Sequence, residues 1–241
     1  MDGEIDREAF ADYAQAVVER LADRVVRWTT INEPFVVANH GYLTGEHAPG
    51  HSSLPEFLAA AHHVLLAHGL GVERIRSVQP SAEVGIVLNF TPVDLADDVP
   101  AARYRARLRD EIENEWYLHP VAGRGYPAFA TEELGWAQAE ILPGDLELIA
   151  APLDFLGINY YTRSLVTAFD DQEPAKPGGV TAMDWEVHPA TLGRFVAVAA
   201  DPDRGPGLHH GERRRHAGSG THRDRHRARR GPPLVPRTPS A

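Results

Sequence analysis

The chain has 241 residues, 43% of them hydrophobic, enough for one large domain or two small ones with a substantial core. The absence of cysteine excludes disulfides and thiolate metal sites, and a net charge of −10 argues against nucleic acid as the partner. No run approaches the roughly 18 consecutive apolar residues of a membrane span, and the acidic opening Asp2, Glu4, Asp6, Glu8 is unlike a secretory signal, so the cytoplasm is the expected location.

Residues 6 to 22 carry Phe10, Tyr13, Val17 and Leu21 at helical spacing, with Asp6 as the expected N-cap. Residues 25 to 32 (Val-Val-Arg-Trp-Thr-Thr-Ile-Asn) predict a strand that stops at Pro34. A Gly/Pro/His loop from Gly41 to Pro55 leads into a second helix marked by Phe57, Ala61, Val64, Leu65 and His68. Residues 83 to 90 predict a buried strand. Tyr104, Leu108, Ile112 and Trp116 mark a further helix, and a shorter helical region lies near Glu132 to Ile149. Leu153 to Tyr161 predicts the third strand, and Leu192 to Ala200 a last helix. Apolar strands alternating with helices, with no hairpin signal between them, predict a parallel α/β sheet covered on both faces. The strands begin about 58 and 70 residues apart, so long loops can build a site at their C-terminal ends. Eight such units need roughly twice this chain.

The charge is divided unevenly. Residues 201–241 hold ten Arg against Asp201, Asp203, Glu212 and Asp224, a balance of +6 that leaves −16 for residues 1–200. The expected organisation is therefore a folded domain over 1–200 and a basic, Arg/Pro/Gly-rich disordered tail over 201–241, whose composition resembles a GC-rich coding sequence read out of frame. His62-His63 and His209-His210 match no metal-ligand spacing. Trp116, Trp136 and Trp185 are read as packing residues.

The chemistry is concentrated at Thr30-Ile31-Asn32-Glu33-Pro34, which puts a carboxyl beside an amide at a strand end. A protonatable carboxyl next to a hydrogen-bonding amide suits cleavage of a glycosidic bond. In a regular strand the two side chains point to opposite faces, so both reach one ligand only where the strand ends or bulges. Pro34 is expected to hold Glu33 extended. Standing alone, the pentapeptide is better read as an exposed strand-end carboxylate before a turn proline. Its surroundings reverse that reading.

Thr-x-Asn-Glu-Pro resembles the acid/base motif of family 1 glycosidases, although Asn-Glu-Pro also occurs in related barrel enzymes. Gly41-Tyr42 with Gly45-Glu46-His47-Ala48-Pro49-Gly50 is similar to the loop that follows in that family. Residues 153–162 (Leu-Asp-Phe-Leu-Gly-Ile-Asn-Tyr-Tyr-Thr) resemble its sixth barrel strand, and Met183 to Pro189 the segment after it. The resemblance spans roughly residues 5 to 200 and implies part of a TIM (β/α)8 barrel, about the fourth to sixth units.

By that resemblance the parent enzyme is a retaining β-glucosidase with no metal or organic cofactor, acting on a small β-glycoside or oligosaccharide. Glu33 is then the general acid/base and Asn32 the ligand of the sugar 2-hydroxyl. Asn159 and Tyr161 share one face of the sixth strand, the tyrosine bonding the nucleophile, and Asn89 lies near the aglycone side. The family's nucleophile motif, Ile/Val-Thr-Glu-Asn-Gly, is expected soon after residue 200 and does not occur. The upstream glutamine and His-Trp pair are also missing, the chain starting in the helix before the fourth strand. Retention needs two carboxyls about 5–5.5 Å apart, so the chain is expected to be inactive as written and to self-associate through unpaired strand edges. Two other classes stay open: a non-catalytic sugar-binding remnant, and an interaction protein working through its basic tail.

Overall fold

A computed structural model describes residues 7–136, 141–169, 176 and 178–199. In chain order the elements are α1 (Arg7–Leu21), β1 (Arg27–Asn32), α2 (Pro34–Ala38), a π-helical turn (Asn39–Leu43), α3 (Leu54–Val78), β2 (Glu83–Phe90) and β3 (Val93–Leu95). Then come α4 (Pro100–Asp110), a second π-helical turn (Glu111–Glu115), α5 (Trp116–Val121), α6 (Ala128–Glu133), α7 (Asp145–Ile149), β4 (Phe155–Tyr160), β5 (Ser164–Val166) and α8 (Pro189–Ala199). Asp6, the tail 201–241 and His209-His210 lie outside the described residues.

The three predicted strands form one parallel sheet in the order β1-β2-β4. Helix α3 spans 25 residues, longer than the apolar spacing alone marked. Ser53 caps it, its hydroxyl accepting from the Glu56 N–H at 3.5 Å, while the Glu56 carboxylate turns to His51. One side of α3 meets Ala14 and Val18 of α1 through Val72 and Ile75. Phe57, Ala61, Val64 and Leu65 pack into the larger core with Ile86, Leu88, Phe90, Trp116 and Tyr117.

The expected cover on both faces of the sheet is not what forms. Val84, Ile86, Leu88 and Phe90 are buried beneath the helices, whereas Val87 and Asn89 of the opposite face are only half-buried. The physical reason is that side chains of the strands themselves take up the space on that face, as they would on the inner face of the expected barrel. That filling is visible across β2 and β4. A Cβ at Gly85 would stand 2.6 Å from the Phe155 ring, and one at Gly157 2.6 Å from Val87 Cγ2. Each glycine is thus paired in register with a bulky residue that occupies its space.

Helix α2 and two small features further along were not predicted. β3 and β5, three residues each, pair in parallel beyond the C-terminal ends of β2 and β4. Residues 178–187 form a small turn closed by an antiparallel bridge between Val180 and Glu186. Both are too short to carry a periodic signal of their own.

Candidate active site

The polar residues flagged in sequence converge where β1 and β4 end. Pairing of β1 with β2 runs Thr29 to Gly85 and then Asn32 to Val87, so one extra residue bulges out of β1. Without the bulge Ile31 would stand opposite Val87 and Asn32 would turn toward the helices. With it, Asn32 joins the inner face.

Glu33 follows with φ 52° and ψ 64°, in the left-handed region. The extended conformation expected before Pro34 is therefore wrong. A left-handed residue reverses the chain in one step: the Glu33 N–H still donates to Val87 O at 2.9 Å, while its carbonyl accepts from the Val36 N–H at 2.9 Å in the first turn of α2. Pro34 occupies the first turn of that helix, where no N–H is needed. A non-glycine residue held this way carries about 1–3 kcal/mol of strain, sustained only because its surroundings fix it.

Those surroundings come from β4. Asn159 Nδ2 donates to Glu33 Oε1 at 2.7 Å and to Asn32 Oδ1 at 3.1 Å. The Tyr161 hydroxyl donates to the same Glu33 Oε1 at 2.8 Å. Tyr160, between them, points the other way and donates to the carbonyl of His188 at 2.7 Å. The Glu33 carboxylate pushes the Tyr161 phenol above its ordinary pKa, since the hydrogen bond is lost if the phenol ionises. Tyr161 was expected, by resemblance, to bond a nucleophile; here it bonds Glu33. Asn89 is in register with Asn159 on the inner face and makes no hydrogen bond to Glu33, Asn32 or Tyr161.

Sequence reasoning placed the tryptophans in the core. Trp116 and Trp136 are buried, 5.2 Å apart between ring centroids. Trp185 is 38% exposed, with its ring 5.3 Å from that of Tyr161. It therefore borders the Glu33 cluster, and no helical or strand period could have indicated this.

Other titratable groups are committed to structure. His62 is bonded to the Tyr126 hydroxyl at 2.8 Å and to Asp145 Oδ2 at 3.1 Å, and burial lowers its pKa. Asp110 and Glu115 have acids pushed up to about 7, first by burial, yet they sit in the helical layer around the second π-helical turn. A perturbed acid marks a site only when it opens on a cleft. Among the described residues no group of three or more His, Asp or Glu is arranged to hold a metal ion, and no helix is long and apolar enough to cross a membrane.

Comparison with known proteins supplies the family. Residues 4–194 match the family described as Glycosyl hydrolase family 1. A beta-glucosidase of an Agrobacterium species is 37% identical over 199 residues, covering 78% of this chain and 43% of that protein. The crystal structure of the AHE enzyme from Alicyclobacillus herbarius superposes with a TM-score of 0.73 at 41% identity, over 79% of this chain and 44% of the other. The virulence factor SghA of Agrobacterium tumefaciens, in complex with its substrate analog salicin, superposes with a TM-score of 0.73 at 36% identity, over 79% of this chain and 44% of that one. The chain thus spans less than half the length of the relatives it matches. Its described part is a partial (β/α) barrel, and the chain belongs to glycosyl hydrolase family 1.

Proposed function

We propose that this chain carries the acid/base half of a retaining β-glycosidase site of the β-glucosidase type. The observation that supports this most is the grip of Asn159 and Tyr161 on one oxygen of Glu33. Among the described residues no donor is bonded to Oε2, which is the oxygen available for the glycosidic oxygen of a β-glycoside. In the parent reaction Glu33 protonates the departing oxygen and then deprotonates the attacking water. Asn32 and Asn159 hold sugar hydroxyls, and Asn89 lies toward the leaving group. The exposed Trp185 ring offers a wall to an aromatic aglycone.

The 241 residues contain no Thr-Glu-Asn-Gly tract, the motif expected to bring the second carboxyl of this chemistry. We infer that the chain alone binds a glycoside without turning it over. Incubation with 4-nitrophenyl β-glucoside is expected to release no nitrophenol above background, while glucose binding is measurable by calorimetry. Hydrolysis that disappears in Glu33→Gln would refute the inference of inactivity. Absence of any sugar binding would refute the site. Location in the cytoplasm, as the cysteine-free composition suggests, belongs to the same proposal.

A further inference from the structure

The segment that bears Trp185 is held by three residues flanking Tyr161. The guanidinium of Arg163 forks onto Glu186, Nε to Oε2 at 2.7 Å and Nη2 to Oε1 at 3.0 Å, and its remaining nitrogen Nη1 meets Asp94 Oδ2 at 2.9 Å. Thr162 Oγ1 donates to the Glu186 carbonyl at 3.1 Å, and the Tyr160 hydroxyl to the His188 carbonyl. Both ends of the ion pair are shielded, Glu186 at 3% and Arg163 at 12% side-chain exposure. Arg163 accordingly holds the Glu186 carboxyl below the usual range.

An ion pair buried to this depth contributes little net stability, because desolvation offsets most of the attraction, but it fixes geometry. What it fixes here is specific. Residues 160, 162 and 163 grip 186 and 188 from one side, and Tyr161 faces the other, where it meets Trp185 and Glu33. We propose that Arg163 and Glu186 are a positioning pair for the aglycone side of the site, holding the Trp185 ring against Tyr161. Neither touches the reacting atoms. The inference rests on the glycoside reading above for its ligand, and on geometry alone for the placement of Trp185.

The test uses the full chain with Glu186→Gln, which keeps an acceptor and removes the charge. Two probes separate the ends of the site: glucose, and phenyl β-thioglucoside, whose sulfur link resists hydrolysis. Affinity for the thioglucoside is expected to fall about three- to tenfold, the worth of one aromatic contact, with glucose affinity unchanged. In a Trp185→Ala background the same substitution should cause no further loss, since the ring it positions is gone. Acrylamide quenching of Trp185, obtained by difference from Trp185→Phe, should rise.

Equal losses for both probes, or the same loss in both backgrounds, would overturn the proposal, as would unchanged quenching of Trp185. A wild-type chain that binds neither probe would sink the glycoside reading and leave quenching to decide the role of the pair. If circular dichroism shows Glu186→Gln unfolded, Arg163→Lys, which keeps the cation and loses the fork, carries the same measurements.

Discussion

Replacing Asp110 with asparagine tests how the helical layer is tied to the strand ends. Asp110 closes α4, is 4% exposed, and accepts a 2.6 Å hydrogen bond from Asn114 Nδ2. The Asn114 amide in turn accepts from the Thr91 N–H at 3.0 Å and donates to the Thr91 carbonyl at 3.1 Å, directly after β2 and Asn89. Burial pushes the Asp110 acid from 3.8 to about 7; the Asn114 bond opposes this, and the carboxylates of Glu115, Glu113 and Glu111 add to the rise. Such an acid holds its proton more tightly folded than unfolded. Stability is therefore greatest below the unfolded value and falls as pH climbs toward the folded one. Over the whole range the loss is about 4 kcal/mol, and between pH 5 and pH 8 about 3 kcal/mol.

Asp110→Asn keeps an oxygen for the Asn114 bond but cannot ionise. Urea unfolding followed by circular dichroism at pH 5 and pH 8 should show the wild type weakening with pH, and the variant weakening by about 2–3 kcal/mol less. A residual slope is expected from Glu115, whose acid also stands near 7. The amide N–H that the substitution introduces carries its own desolvation cost, which is independent of pH and so cancels in the slope. Identical pH slopes in the two proteins would refute the reasoning.

Further outcomes follow from the same geometry. Asn159→Ala removes the donor shared by Glu33 and Asn32 and should weaken glucose binding about tenfold by calorimetry. Gly157→Ala places a methyl against Val87 and should cost about 1–3 kcal/mol in urea, part of which Val87→Ala restores; a Gly157→Ala chain as stable as wild type would remove the packing argument. Strands β1 and β4 are the outer members of the described three-stranded sheet, so sedimentation velocity should show association that grows with concentration. A single monomeric species at every concentration would count against open edges.

Much of the framework was legible because it depends on runs of neighbouring residues. The β-branched and apolar tracts before Asn32, Phe90 and Tyr160 give three parallel strands within two residues of the expected bounds. Residues two apart on a strand share a face, which was enough to put Asn159 and Tyr161 together. The helix following Pro55 was equally plain from its spacing, though not its full length.

What the sequence by itself determined was thus the kind of element, the sharing of a face, and a carboxyl and an amide at a strand end. The tertiary structure alone decided the rest. The bulge that brings Asn32 inward arises from pairing with β2, some fifty residues away. The left-handed turn at Glu33 runs against the local preference before a proline, and is held through Val87 and Asn159. Trp185 is set by an ion pair whose arginine lies twenty-three residues before its glutamate. Local preferences weigh a few tenths to about 1 kcal/mol per residue, whereas a satisfied buried network holds or costs several. At the site, where strand ends meet, the larger contribution comes from contacts remote in the chain.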